Sequence, residues 1–397
     1  MNNPEIQSKL NEIIGFLDTY DTRNKGTGIL SGQTGISMFY YFLAKVKDDE
    51  YHLEKSISIV QQAVDEINEG NHLPSFCSGI SGLGWYLEFL RHEGVIQRED
   101  IIFLDQLDEY LYRAMMNHID QGYFDYLHGS IGIALYFLKR IDSPQIKNYL
   151  DTFIDRLYAK GNIFSDGSMA WKTIWGPDKD NDVYNLSLSH GLASITAFLA
   201  KAYEADIKTA KVKEMLSRSL DFFFKHKNDE KKCGSYFPSV ISPEDRILKS
   251  RLAWCYGDLG IASVFYNISK VLADKELEKF SIDIFNFNAS RKDPADTNIN
   301  DAGICHGAFG IAHLYNRFFF NTKNPDFRIT SEYWMKEGLK MACHKDGYAG
   351  YKTFHTEDQG GWVANASLLE GFSGIGLSIL SSTSTVEPSW DECLLLC

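Results

Sequence analysis

One repeated motif constrains this chain more than any other feature: two glycines three residues apart, running into an apolar stretch. It reads SGQTGISMFYYFL from Ser31, CSGISGLGWYLEFL from Cys77, HGSIGIALYFL from His128 and HGLASITAFLA from His190. It returns as CYGDLGIASVFY from Cys255, CHGAFGIAHLY from Cys305 and EGFSGIGLSIL from Glu370. The leading glycines are Gly32, Gly79, Gly129, Gly191, Gly257, Gly307 and Gly371. They lie 47 to 66 residues apart, which is room for two helices and their connections. Only the fourth copy departs, with Ser194 in place of the second glycine.

Each copy has a mechanical reading. A glycine opening a helix permits a close approach of neighbouring backbones. The second glycine lies on the same helix face and keeps that face narrow. The run that follows is apolar nearly all round, the mark of a buried helix. Between copies lie amphipathic segments such as VKEMLSRSLDFFFKH from Val212, which suit an outer layer. The expected fold is therefore all-α: an α/α toroid of seven inner and seven outer helices. Closure is preferred because an open solenoid needs polar capping repeats, and the first and last copies here are apolar. Three stretches, 162–188, 234–251 and 344–366, break the helical texture and are expected as short strand and loop excursions over one mouth. No Pro/Ser-rich linker divides the chain, so residues 1–397 read as a single domain.

Composition removes several classes of function. Hydrophobic residues make up 44% of the 397 and charged residues 23%, the balance of a globular protein in water. No run approaches the roughly 20 apolar residues a membrane span needs, and the polar N-terminus is no secretion signal. A cytoplasmic location is expected. The net charge of -13 argues against a nucleic-acid partner, whose phosphates call for a basic surface. Seven cysteines at irregular spacings do not make a disulfide framework, so a special cysteine here points to metal binding or catalysis.

Aligning the copies on the leading glycine shows where chemistry is placed. Two residues before it, copies two, five and six carry Cys77, Cys255 and Cys305; one residue before it, copies three, four and six carry His128, His190 and His306. Copies five and six are neighbours on a ring, so Cys255, Cys305 and His306 should converge. Two thiolates and an imidazole suit zinc and leave the fourth tetrahedral position open. Cys77 sits across the ring and reads as a buried free cysteine. Cys343–His344 reads as a helix end, His313 as a core histidine, and Cys393 with Cys397 as part of a terminal apolar helix or plug. Asp125, four residues before its glycine, could orient an imidazole for acid/base work. Arg251 could point at the same mouth.

RLAWCYGDLG with ICHGAFG, preceded by SLSHG and YFDYLHG, resembles the lanthionine synthetase C-like (LanC) family over the full chain. The resemblance implies an α/α toroid holding one Zn²⁺ per chain on Cys255, Cys305 and His306. It assigns catalysis to His190, Asp125 and Arg251, and places Trp254 and Tyr256 beside the first ligand. His128 adds an imidazole beside Asp125, and Trp254, Tyr256 and His128 are read as substrate-binding. The implied reaction is zinc-dependent lanthipeptide cyclisation: peptide cysteine thiolates add to dehydroalanine or dehydrobutyrine and close (methyl)lanthionine rings. The implied partners are a dehydrated precursor peptide, a separate dehydratase and an exporter, with a peripheral place at the membrane in such a complex. Two alternatives stay open: a LanC-like enzyme adding glutathione or another small thiol, and a non-catalytic zinc-stabilised peptide-binding scaffold.

Overall fold

In a computed structural model, residues 4–70, 72–174, 182–242, 246–247, 249–356 and 360–397 are described. Among them, fourteen long helices alternate between two layers. The inner layer comprises α2 (Gln33–Lys47), α4 (Ile80–His92), α6 (Ser130–Lys139), α8 (Leu192–Glu204), α10 (Asp258–Leu272), α12 (Ala308–Thr322) and α14 (Phe372–Thr383). The outer layer comprises α1 (Pro4–Thr19), α3 (Glu50–Asn68), α5 (Leu104–Asp120), α7 (Pro144–Lys160), α9 (Thr209–Lys225), α11 (Lys275–Asn288) and α13 (Pro325–Lys340). The last inner helix, α14, packs on the first, α2, and on α1, so the ring closes. The fold is the expected helical toroid.

The two layers start their helices differently. Three outer helices use side-chain caps: Asp49, Asp274 and Asn324 accept N–H groups of the first turns of α3, α11 and α13. Inner helices start at the leading glycines, all in extended backbone. The second glycine is needed for space. A Cβ on Gly82 would sit 2.0 Å from the Phe76 carbonyl oxygen, and one on Gly374 1.8 Å from that of Leu368. The inner helix thus lies directly on its own entry turn.

That turn also links each copy to the next. Two residues before the leading glycine, Leu30 N–H donates to the Cys77 carbonyl at 3.0 Å, and Cys77 N–H to that of Leu127 at 2.8 Å. The belt continues from Cys255 to Cys305 at 3.2 Å, from Cys305 to Leu369 at 2.8 Å, and from Leu369 back to Leu30 at 2.9 Å. In copy four the donor to Cys255 is Leu188, one residue early. This is the copy in which Ser194 brings a Cβ to the position of the second glycine.

The three excursions are short antiparallel strands. Asn162–Ile163 (β1) pairs Met169–Ala170 (β2); Tyr184–Asn185 (β3), Val240–Ile241 (β4) and Arg246–Ile247 (β5) form a three-stranded sheet; and Thr353–Phe354 (β6) pairs Trp362–Val363 (β7). Within the expected excursions, positions 175–181, 243–245, 248 and 357–359 lie outside the described residues. The opposite end of the ring is filled by the C-terminal segment. A short turn at Ser389–Leu394 buries Trp390, Cys393 and Leu394. Trp254 Nε1–H donates to the Leu394 carbonyl at 2.9 Å, and Arg317, in the last half of α12, grips Asp391 at 2.6 and 2.8 Å. No helix among the described residues is long and apolar enough to cross a membrane.

Candidate metal centre

The backbone belt brings copies five and six together at one mouth. Donation from Cys255 N–H to the Cys305 carbonyl sets the two turns side by side, and His306 follows Cys305 directly. The ligand atoms of Cys255, Cys305 and His306 all lie within 4.8 Å of one another. In a tetrahedral zinc site with Zn–S bonds near 2.3 Å, sulfur atoms stand about 3.8 Å apart, so the set closes on a metal with small shifts. The donor chemistry fits as well. Two soft thiolates and an imidazole are borderline-soft ligands, and three of them leave a coordination position free.

A hydrogen bond from the Cys305 thiol, aided by His306 and the Arg251 charge, outweighs burial and pulls Cys255 well below the usual thiol range. The same shared proton, with burial, pushes Cys305 well above it. Burial opposes charge on His306, but hydrogen bonds to Asp301 and Cys255 raise it to about 10. Metal binding would expel these protons. Cys77, at the equivalent repeat position, remains a buried thiol pushed up to about 12 by burial.

Beside the cysteine pair, on the copy-four side, His190 Nδ1 meets Asp125 Oδ2 at 2.6 Å. Asp125 uses its other oxygen to accept His128 N–H at 2.8 Å. The carboxylate is nearly buried and the imidazole only partly so, which leaves the ring accessible while its tilt is held. The His128 ring lies 6.5 Å from that of His190, and burial lowers its pKa. Tyr256 stands between His190 and the metal set, with ring centres 5.9 Å apart and its hydroxyl accepting from Asn185 at 3.1 Å. Arg251 is half-buried and acts electrostatically on Cys255. Trp254 does not join this wall. It is fully buried and its indole N–H is taken by the C-terminal segment, so the expected substrate contact is corrected to a structural one.

Residues 25–395 match the family described as "Lanthionine synthetase C-like protein". The chain belongs to this family. A relative, "Nisin biosynthesis protein NisC" of Lactococcus lactis subsp. lactis, is 23% identical over 376 residues, covering 85% of this chain and 87% of the relative. The solved structure titled "Nisin cyclase" superposes with a TM-score of 0.77 at 18% identity, covering 99% of this chain and 98% of that one. At that identity the likeness speaks to the fold, which is the same helical toroid.

In this LanC-like chain, five polar residues at the mouth escaped the reading of the sequence. Asp301 Oδ2 lies 3.3 Å from His306 Nε2 and accepts Phe354 N–H at 2.9 Å, while Oδ1 accepts Gly303 N–H at 3.0 Å. It thus steadies a candidate ligand, the entry turn and β6 together. Asn185 and Asn365 occupy the same repeat position, six before the glycine, and make the same turn. Comparing the copies at that position would have found Asp301. Glu370 was equally legible, since it takes the repeat position of His306 and His190. His355 was not: only the β6–β7 pairing brings it to Glu370.

Proposed function

We propose that the chain is a zinc-dependent lanthipeptide cyclase, adding peptide cysteine thiols to dehydroalanine or dehydrobutyrine to close (methyl)lanthionine rings. One observation carries this reading: Cys255, Cys305 and His306 cluster at one mouth of a LanC-like ring, beside a partly exposed His190 oriented by Asp125. The names of the relatives, a nisin biosynthesis protein and a nisin cyclase, support the same chemistry. A free thiol has a pKa near ~8.5, so little thiolate exists at neutral pH. Zinc on these three side chains would hold the substrate sulfur as thiolate. Three protein ligands would leave the substrate sulfur a place on the metal, and no fourth Cys, His or carboxylate joins the cluster among the described residues.

The chain's own groups divide the remaining work. The substrate sulfur adds to the β-carbon, and negative charge develops on the amide oxygen of the dehydro residue. Arg251 supplies a cation on the Cys255 side to meet that charge. His190, kept in one orientation by Asp125, takes the thiol proton or gives one to the α-carbon. Tyr256 and His128 line the approach. The substrate is a dehydrated precursor peptide made by a separate dehydratase, and a cytoplasmic location with residues 1–397 acting as one unit accords with this role.

The test is elemental analysis of wild type beside Cys305→Ala, followed by mass spectrometry of a dehydrated peptide incubated with each. About one zinc per chain and ring closure in wild type, both lost in the variant, are expected. A Cys255→Ala protein that kept zinc and full cyclisation would overturn the reading. A glutathione adduct in place of an internal ring would reassign the nucleophile to a small thiol.

A further inference from the structure

The residue before each leading glycine is Ser31, Ser78, His128, His190, Tyr256, His306 and Glu370 in ring order. Glu370 therefore follows His306. Cys305 N–H donates to the Leu369 carbonyl at 2.8 Å, which seats copy seven against copy six. The Glu370 carboxylate is felt electrostatically at both Cys305 and Cys77, so it belongs to the same mouth. Its oxygen lies 3.3 Å from His355 Nε2 and 3.3 Å from Asn365 Nδ2.

His355 is held in place by backbone. His355 N–H donates to the Gly361 carbonyl at 2.9 Å, and Thr353 Oγ1 donates to the Glu370 carbonyl at 2.8 Å. Phe354 N–H donates to Asp301, the carboxylate that also contacts His306. The imidazole is about a quarter exposed (27%), much like His190 at 20%. The metal set is thus bracketed by two imidazole–carboxylate pairs: His190–Asp125 towards copies three and four, and His355–Glu370 towards copy seven.

The addition needs two proton movements at different atoms. The sulfur loses a proton and the α-carbon gains one, with the β-carbon between them. We propose that His355, oriented by Glu370, accepts the thiol proton, and that His190, oriented by Asp125, delivers the proton to the α-carbon. This rests on the cyclase reading and divides between two residues what that reading leaves to one. The S–H bond breaks with its electron pair left on sulfur, and that pair forms the C–S bond. The alkene pair moves onto the α-carbon and amide oxygen, then takes a proton from His190. Water removes the proton from His355 and restores that of His190, so one thiol adds to one alkene with nothing left over.

The experiment compares wild type, His355→Ala, His355→Gln and Glu370→Gln, all zinc-loaded, on a dehydrated peptide with and without added imidazole. Zinc content is expected to match wild type throughout. Turnover falls roughly 100-fold in both His355 variants, with KM little changed, and free imidazole recovers much of it in His355→Ala, where it can occupy the vacated space. Glu370→Gln loses less, roughly tenfold, because the imidazole remains but is poorly oriented. A readout apart from turnover is proton release on mixing N-acetylcysteine amide with the zinc protein in weak buffer containing a pH dye. Release is slower in His355→Ala and is restored by imidazole. Turnover within twofold of wild type in a zinc-loaded His355→Ala overturns the proposal. So does a loss that imidazole cannot recover, since His355 would then only hold the hairpin. A wild type that binds zinc but closes no ring fails at the cyclase reading itself, a separate result from either.

Discussion

Asp301 shows how much of the candidate centre depends on one carboxylate. It is almost fully buried, where a charge is costly. Burial pushes its pKa up, yet the His306 contact and the N–H groups of Phe354 and Gly303 outweigh that and hold it below the usual carboxylate range. The charge serves to fix the tilt of His306 and to favour its ring as a donor. Asp301→Asn keeps the shape and removes the charge. Zinc affinity is expected to fall about 10- to 100-fold, read by competition with a chromophoric chelator, while the far-ultraviolet circular dichroism stays that of wild type. Unchanged affinity would mean that the ring is positioned by its entry turn alone. The three candidate ligands themselves were legible because the repeat supplies an internal alignment: a cysteine or histidine stands out where other copies carry a neutral residue. Trp254 was misread for a physical reason. Adjacency to Cys255 in sequence suggests adjacency to substrate, but successive residues of a tight turn point to opposite sides. Trp254 points into the ring, where the C-terminal segment takes its N–H.

At the scale of the element, the two glycines of each copy do different jobs from one in an outer helix, and substitution separates them. A Cβ at Gly82 would collide with the backbone of Phe76 and Ile29, at 2.0 and 2.8 Å. Neither can move without pulling the belt turn away from the inner helix. Gly15, in α1, is exposed, with nothing within 4 Å of the added carbon. Gly82→Ala is expected to destabilise by about 1–3 kcal/mol through overpacking, and Gly15→Ala to stabilise by about 0.5–1 kcal/mol through helix propensity. Thermal melts of the two variants beside wild type check the opposite signs. Helix layers and repeat turns were legible because each copy states them again. The strand pairings were not, since two-residue strands such as β6 and β7 carry no periodicity. Their register, which seats His355 on Glu370, comes from the tertiary fold.

On the scale of the whole molecule, the seven copies make a ring with two unlike mouths. The entry turns and the candidate centre occupy one, and the C-terminal segment stoppers the other. A cavity of about 330 Å³ lies at that far end, walled by Trp85, Tyr126, Lys139 and Glu392, so the candidate centre is marked by its chemistry and not by the size of a hollow. The stopper is fastened by a buried cluster: Asp391 accepts from Arg317 at 2.6 and 2.8 Å and meets His313 Nε2 at 2.7 Å. Burial alone would raise Asp391, but Arg317 and His313 hold it below the usual carboxylate range. Burial lowers His313 below the usual histidine range despite the carboxylate beside it. Both folded values lie beneath the unfolded ones, near 3.9 for Asp and 6.5 for His. Their contribution to stability is therefore complete above about pH 6.5 and is lost as pH falls below it through the two folded values. The melting temperature should change little from this cluster above pH 6.5 and decline below it. Asp391→Ala strands the Arg317 charge in the interior, where breaking one side of a buried pair costs about 3–5 kcal/mol. That variant should melt well below wild type at pH 7.5 and lose its C-terminal segment to limited chymotrypsin digestion before the ring itself is cut. If it melts and digests as wild type does, the segment is not what closes the far mouth, and closure there must come from the inner helices themselves.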